Sequence, residues 1–363
     1  MKICFVLGTR PEIIKLYPLI KLCKVKKINH FIIHTSQQKS VLMDKKFFGD
    51  FKIVPRYLLK NENKFLTRTI EKLSKIFLKE KPNYIINQGD TNTVLTSSIA
   101  CNKLNYNKNK NHNKFKLVRV ESGLRSYDRS MPEEINRVIA DQLGDILFAP
   151  TIFSKKNLLK ENFSTSKIFV VGNTICDSIR MNKKKINYQI LSQLKLKKKN
   201  YFLLTLHRPD MVDNKHRLQK IITYFSNLSK RKKIRIIFPI HPRTQQKINL
   251  FKVSKLNGLQ IIDPCSYFDF MALQKQAKIV FTDSGGVQEE TCIFKTPCIT
   301  IRKNTERPET IKIKSNILTG YNLSKIDYSI DKMLKSKIKW KNPYGKNVSD
   351  KILKILIREL KNE

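Results

Sequence analysis

KIVFTDSGGVQEE, Lys278 to Glu290, reads as a buried strand that runs through a glycine turn into a helix. The apolar run Lys278-Ile-Val-Phe281 predicts a strand through Asp283, Ser284-Gly285-Gly286 predicts the turn, and Val287 onward predicts the helix. In that arrangement Gly285 and Gly286 let phosphate oxygens approach backbone N–H groups at a helix end whose dipole favours negative charge. Ser284 falls at the N-cap, where its hydroxyl can serve either the helix or a phosphate. Glu289 and Glu290 would repel a diphosphate unless one of them accepts from ribose hydroxyls instead. The same residues also suit an ordinary strand, turn and capped helix, so the decision passes to the rest of the chain.

Outward from this stretch, short β-branched runs recur with helical stretches between them. One series occupies residues 3–7, 31–34, 84–87, 117–120, 146–148 and 168–171; a second occupies 202–206, 234–238, 259–262, 279–281 and 298–301. Strand and helix in alternation predict an α/β protein with two Rossmann-like doubly wound parallel sheets, each wrapped by helices. A polar, Lys-rich stretch at about 173–200 separates the series. The expected organisation is a first domain at 1–172, a second at 173–346, and a basic amphipathic helix within 347–363 that packs back on the first. Ligands of such sheets bind beyond the carboxyl ends of the strands, which places the expected active site in the cleft between the domains.

A length of 363 residues fits two ordinary domains, and 40% hydrophobic residues suffice for packed interiors. The formal net charge of +43 invites a nucleic-acid reading. Much of it, however, lies in Lys/Asn-rich pieces at 105–116, 195–200 and 230–233 that lack interleaved aromatics, and no helix-turn-helix or zinc-finger spacing occurs. A solvated face explains those runs, and no nucleic-acid partner is expected. The seven cysteines form no CxxC pair and sit singly in apolar runs, as in a reduced cytoplasmic protein. The apolar stretch Met1-Lys-Ile-Cys-Phe-Val-Leu7 ends at Gly8, too short for a signal peptide or a membrane span, so no membrane insertion is expected.

Candidate chemistry gathers where strands end. After the first comes Gly8-Thr9-Arg10-Pro11-Glu12 with Lys15 one turn on; Pro11 starts a helix, and Arg10 and Lys15 are cations suited to a diphosphate. Asp90 follows the strand at 84–87, Glu121 follows that at 117–120, and Glu133 lies where Met131-Pro132 opens a helix. Three carboxylates facing one cleft would oppose each other's ionisation, which suits proton transfer. Alternatively, Asp90 and Glu133 serve helix starts and Glu121 pairs with Arg125 or Arg137. His207 and His241 also stand at strand ends, where a protonated imidazole could stabilise a leaving diphosphate. Neither belongs to an HxH or HExxH pattern, and no metal site is expected.

Taken in order, GTRPE at 8–12, QGDTNT at 88–93, VESGLRS at 120–126, MPEEINR at 131–137, VGNTICDSI at 171–179, TLHR at 205–208, TDSGGVQEE at 282–290 and TERPE at 305–309 resemble the non-hydrolysing UDP-N-acetylglucosamine 2-epimerases. The resemblance runs nearly end to end. It implies two Rossmann-like domains of the GT-B type and a reaction that uses no metal, nicotinamide or other cofactor. It also implies a mechanism in which a base removes the proton on sugar carbon 2 while UDP leaves carbon 1, and the resulting glycal is reprotonated from the other face as UDP returns. Carried over by motif, Asp90, Glu121 and Glu133 become the acid–base set and His207 the residue that helps UDP depart. Arg10, Lys15, Ser284, Gly285, Gly286, Glu290 and Arg307 become substrate contacts, with Glu290 on the ribose. A homodimer is implied as well, and a second UDP-sugar bound as activator, for which Gln37 and His241 are the candidate effector residues.

Several positions depart from the family pattern. Gln38 replaces the histidine of TGQH, Gln88 replaces the histidine before Gly89, Arg119-Val-Glu-Ser-Gly123 stands for HVEAG, and His207-Arg-Pro-Asp210-Met211 stands for HRxEN. These spare the candidate carboxylates but bear on substrate and effector. The expected activity is conversion of UDP-N-acetylglucosamine to UDP-N-acetylmannosamine for surface polysaccharide precursors. The alternatives are a 2-epimerase of a 2,3-diacetamido-uronate or 6-deoxy sugar nucleotide, and a GT-B glycosyltransferase, which would carry an acceptor groove and a single catalytic base.

Overall fold

The structure, a computed structural model, describes residues 1–37, 48–60, 63–106, 115–254, 256–336 and 339–362. Gln38 and most of the Lys/Asn-rich run at 105–116 lie outside the described residues. The chain forms two compact units, Met1–Met181 with Tyr344–Glu363, and Asn182–Pro343. The segment from residue 173 to Met181 thus lies with the first sheet, and the chain rejoins that unit at Tyr344.

In the first unit, seven strands lie in the order β3-β2-β1-β4-β5-β6-β7. They are β1 (Lys2–Leu7), β2 (Asn29–His34), β3 (Tyr57–Leu58), β4 (Tyr84–Gln88), β5 (Lys116–Val120), β6 (Ile146–Ala149) and β7 (Ile168–Val170). Every pairing is parallel, for example Val6 opposite Ile33 and Ile86 opposite Val118. A parallel sheet covered on both faces asks for strands that are apolar throughout, and Ile3 to Leu7 are all fully buried. Each such side chain contributes about 1.5–3 kcal/mol of burial energy. The helix Val348–Lys361 buries Val348, Ile352, Leu353 and Leu356 in this unit, where its Leu356 carbonyl accepts from Tyr84 Oη at 2.8 Å and Ser349 N–H donates to Asp177 at 2.8 Å. The chain returns beside Gly172, where a Cβ would come within 2.2 Å of the Tyr344 carbonyl.

The second unit repeats the plan with six parallel strands in the order β10-β9-β8-β11-β12-β13. These are β8 (Tyr201–Thr205), β9 (Arg235–Pro239), β10 (Leu259–Ile262), β11 (Ile279–Thr282), β12 (Cys298–Thr300) and β13 (Asn316–Leu318). Phe202, Phe225, Phe238 and Phe281 fill the core on one face, with Phe225 and Phe281 meeting edge-on at 4.9 Å. In both sheets the strand order reverses once, between β1 and β4 and between β8 and β11, and the crevice at that reversal is where doubly wound sheets take ligands.

The seven cysteines are free, six of them buried. Among the described residues no helix is long and apolar enough to cross a membrane. The basic run at 230–233 closes the helix Lys215–Lys232, where cations suit the helix dipole and where Arg231 and Lys232 pair with Asp327 and Asp331.

Candidate functional site

In the first unit the strand-end residues fall at the β1/β4 reversal. Gly8 must be glycine, because a Cβ there would meet Thr35 Oγ1 and Thr93 Oγ1 at 2.2 Å. Thr9 precedes the helix Arg10–Val25, with Pro11 in its first turn and half-buried Arg10 at its head. Gly89 takes φ +85°, a left-handed turn that delivers Asp90 past the end of β4. Glu121 leaves β5 with φ +70°, a backbone cost of about 1–2 kcal/mol for a residue with a side chain, of the kind that collects at functional sites.

The carboxylates do not simply face one another. Glu121 forms an ion pair with Lys15, both buried, and also accepts from Gln88 Nε2 at 3.1 Å and Asn173 Nδ2 at 3.5 Å. Asp90 is paired with Arg137, whose other nitrogen holds Glu134. Asp90 and Glu121 are thus each ion-paired with a cation of their own unit. Arg125, one of the partners expected for Glu121, pairs with Asp141 at 2.9 Å and with Glu161 at 2.7 Å. Lys15 is buried on Glu121. Glu133 is half-buried in the first turn of the helix Pro132–Gln142, the helix that carries Arg137. Gln37 Oε1 accepts from the Thr93 N–H at 2.8 Å and the Thr93 hydroxyl at 2.9 Å, at the start of the helix Asn92–Tyr106.

Arg119 is wholly buried, with Nη1 donating to Asn87 Oδ1 at 2.6 Å, Nη2 donating to the Gly89 carbonyl at 2.8 Å, and Asp141 as counter-ion at 3.3 Å. Both departures near the carboxylates, Gln88 and Arg119, thus bear on how the ends of β4 and β5 are held.

In the second unit, β8 leads to His207 and its neighbour β11 leads to Asp283. Asp283 is fully buried and accepts from the backbone N–H groups of His207 and Arg208, each at 2.8 Å, with its other oxygen 3.0 Å from His207 Nδ1. Burial works to raise the Asp283 pKa, but the His207 ring and the two N–H groups outweigh it and hold the carboxyl below its usual range. Asp283 thereby holds the turn that carries His207 through its backbone and lies beside Nδ1 of the ring. His241 caps the helix Pro242–Phe251, its Nδ1 accepting from the Arg243 N–H at 3.2 Å, and its ring lies 5.4 Å from that of His207. A candidate catalytic residue and a candidate effector residue are therefore neighbours.

The helix after β11 begins at Gly285, so the expected glycine turn is already helical and its N–H groups are among the unpaired donors of a first turn. Ser284 is the N-cap and makes no side-chain cap bond. A Cβ on Gly285 would meet the Arg307 guanidinium at 2.9 Å, whereas one on Gly286 would meet nothing within 4 Å. Arg307 is aimed across this turn by Glu289 at 2.9 Å and Glu306 at 3.2 Å. Glu290 is buried, accepting from Tyr267 Oη at 3.0 Å and Gln274 Nε2 at 2.5 Å.

Two residues here carried no distinguishing signal in the sequence. In sequence Asp283 is only the end of a strand and Glu12 only part of a helix start, yet the first holds the turn of His207 and the second is a buried carboxyl whose pKa rises to about 7.

Two doubly wound sheets, one ending in cation-paired carboxylates and the other in a glycine-led helix start beside a histidine and an arginine, define the GT-B class of nucleotide-sugar enzymes. Within that class, the chain belongs to the UDP-N-acetylglucosamine 2-epimerase family, whose model matches residues 21–357. It is 45% identical to a UDP-N-acetylglucosamine 2-epimerase of Methanococcus maripaludis over 97% of both chains. It is 44% identical to the enzyme of that name from Methanocaldococcus jannaschii over 98% of this chain and 99% of that one. The crystal structure of a Methanocaldococcus jannaschii UDP-GlcNAc 2-epimerase in complex with UDP-GlcNAc and UDP aligns with a TM-score of 0.90 at 44% identity, covering 99% of this chain and 100% of the other.

Proposed function

We propose that the chain converts UDP-N-acetylglucosamine to UDP-N-acetylmannosamine, an inversion at sugar carbon 2 that supplies surface polysaccharide precursors. A base takes the carbon-2 proton as UDP leaves carbon 1; an acid returns a proton to the opposite face of the glycal as UDP re-adds. Asp90, Glu121 and Glu133 are assigned to the proton transfers. His207, oriented by Asp283, meets the charge on the departing UDP, and Arg10, Ser284, Gly285, Gly286, Glu290 and Arg307 are assigned to substrate binding. Lys15, which pairs with Glu121, is assigned to substrate binding with them. The observation that carries this reading is the pairing of Glu121 with Lys15 and of Asp90 with Arg137 at the ends of adjacent parallel strands, in a chain of this family. Proton transfer needs its acid and base held in fixed places, and these pairs hold both carboxyls at the strand ends.

The test is incubation with UDP-N-acetylglucosamine in deuterated water. Deuterium at carbon 2 together with the manno epimer supports the proposal. Exchange only with a 2,3-diacetamido-uronate or 6-deoxy sugar nucleotide moves the substrate, transfer to an acceptor moves the class to glycosyltransferase, and no exchange with any of them overturns the epimerase reading. A cytoplasmic homodimer is part of the same proposal, as is activation by a second UDP-sugar with Gln37 and His241 as the residues to vary. The activator is read as a sigmoidal dependence of rate on substrate.

A further inference from the structure

We infer that Glu12 is a positioning residue, tying the turn after β1 to the turn after β4 through Thr91, and so setting Asp90 against Lys15 and Glu121. The inference rests on the proposed acid–base role of Asp90 and Glu121. Glu12 is 1% exposed. Its Oε2 accepts from the Gly8 N–H at 3.0 Å and from Thr9 Oγ1 at 2.8 Å. Its Oε1 accepts from Thr91 Oγ1 at 2.9 Å, 79 residues along the chain. The first two bonds are what a glutamate in the opening turn of a helix makes for that helix. The third has no part in capping Arg10–Val25, because Thr91 belongs to the other turn and follows Asp90 directly.

Both turns lead to the candidate chemistry. The helix Arg10–Val25 starts from the Glu12-bound turn and presents Lys15 to Glu121. Thr91 also receives the Val94 N–H at 3.2 Å, which fixes the start of the helix Asn92–Tyr106, and Asp90 beside it is held by Arg137. The Glu12–Thr91 bond is thus a tie between the Lys15–Glu121 pair and the Asp90–Arg137 pair across the β1/β4 reversal. Proton transfer is sensitive to small displacements of the reacting groups; a shift of about 1 Å can cost on the order of a hundredfold in rate.

Thr91→Val deletes the hydroxyl while nearly keeping the volume, and Thr91→Ser keeps the hydroxyl. The expected result is a kcat lowered about tenfold or more in Thr91→Val, with KM within about twofold of wild type, and restored by Thr91→Ser. Hydrogen exchange read on the same proteins is independent of any substrate: Thr91→Val should speed exchange in peptides spanning residues 8–12 as well as 89–94. If protection falls only at the start of the Asn92–Tyr106 helix, Thr91 is merely a cap and the inference is overturned. It is also overturned if KM rises with kcat intact, or if Thr91→Ser falls as far as Thr91→Val. A wild-type protein that exchanges no deuterium into any of the sugar nucleotides removes the function proposal instead, and the exchange at residues 8–12 still decides whether the tie exists.

Discussion

Burial pushes the Glu12 carboxyl up to about 7 from an ordinary 4.5, against four hydrogen-bond contributions that act to lower it. A carboxyl that holds its proton more tightly when folded contributes stability that is fully present below the unfolded value of 4.5 and is lost as pH rises through about 7. Glu12→Gln has no proton to lose. Urea unfolding from pH 4.5 to 8 should therefore show wild type losing up to about 3 kcal/mol relative to the variant; a flat difference would refute the assignment. Asp283 works in the opposite sense, its carboxyl held below the usual range beside His207 Nδ1, and we read it as setting the tautomer of that ring. Asp283→Asn should lower kcat by roughly a hundredfold or more through the wrong tautomer, while UDP binding by calorimetry stays within a few-fold. The carboxylates at strand ends are legible because Glu121 follows Val120 directly and Asp90 closes the short polar turn after Ile86. Their partners are not: Lys15 meets Glu121 across 106 residues of chain, a pairing that only the sheet order creates.

The strands buried on both faces read directly from the sequence, because a parallel strand of this kind is an unbroken apolar run. β3 and β13 escaped, since two and three residues at a sheet edge give no period to detect. The helix after β11 starts two residues earlier than the glycines suggest, because Gly285 and Gly286 are its first helical residues. That difference separates two substitutions. Gly285→Ala puts a methyl against the Arg307 guanidinium and should disturb the Glu289–Arg307–Glu306 arrangement, weakening UDP binding about tenfold and lowering the melting temperature. Gly286→Ala meets no protein atom, so its melting temperature should hold or rise, helix propensity favouring alanine by roughly 1 kcal/mol. If phosphate oxygens approach that backbone as proposed, Gly286→Ala nonetheless loses UDP affinity. Equal affinity in wild type and Gly286→Ala would move the phosphate elsewhere.

At the level of the molecule, the repeat of one strand order in two units was legible from the two series of apolar runs, whereas the point of crossing was not. Polarity marks loops, and the Lys-rich stretch near 173–200 contains Asn173, Thr174, Asp177 and Ser178, which are buried in the first unit. The last helix is as much a part of that unit's core as its strands: Leu356 is fully buried, and Leu356→Ala should cost about 2–5 kcal/mol. Hydrogen exchange should register the loss in β1 and β4. Because this helix follows the whole of the second unit in sequence, the first unit has an order of assembly built into it. Residues 1–181 leave the ribosome with the face beside the helix Arg10–Val25 bare, all of Asn182–Pro343 is made next, and only then does Val348–Lys361 arrive to cover it. The second unit can fold as it emerges, but the first is completed only after all of Asn182–Pro343 has been made, and during that interval its uncovered apolar face is exposed to aggregation and to chaperones.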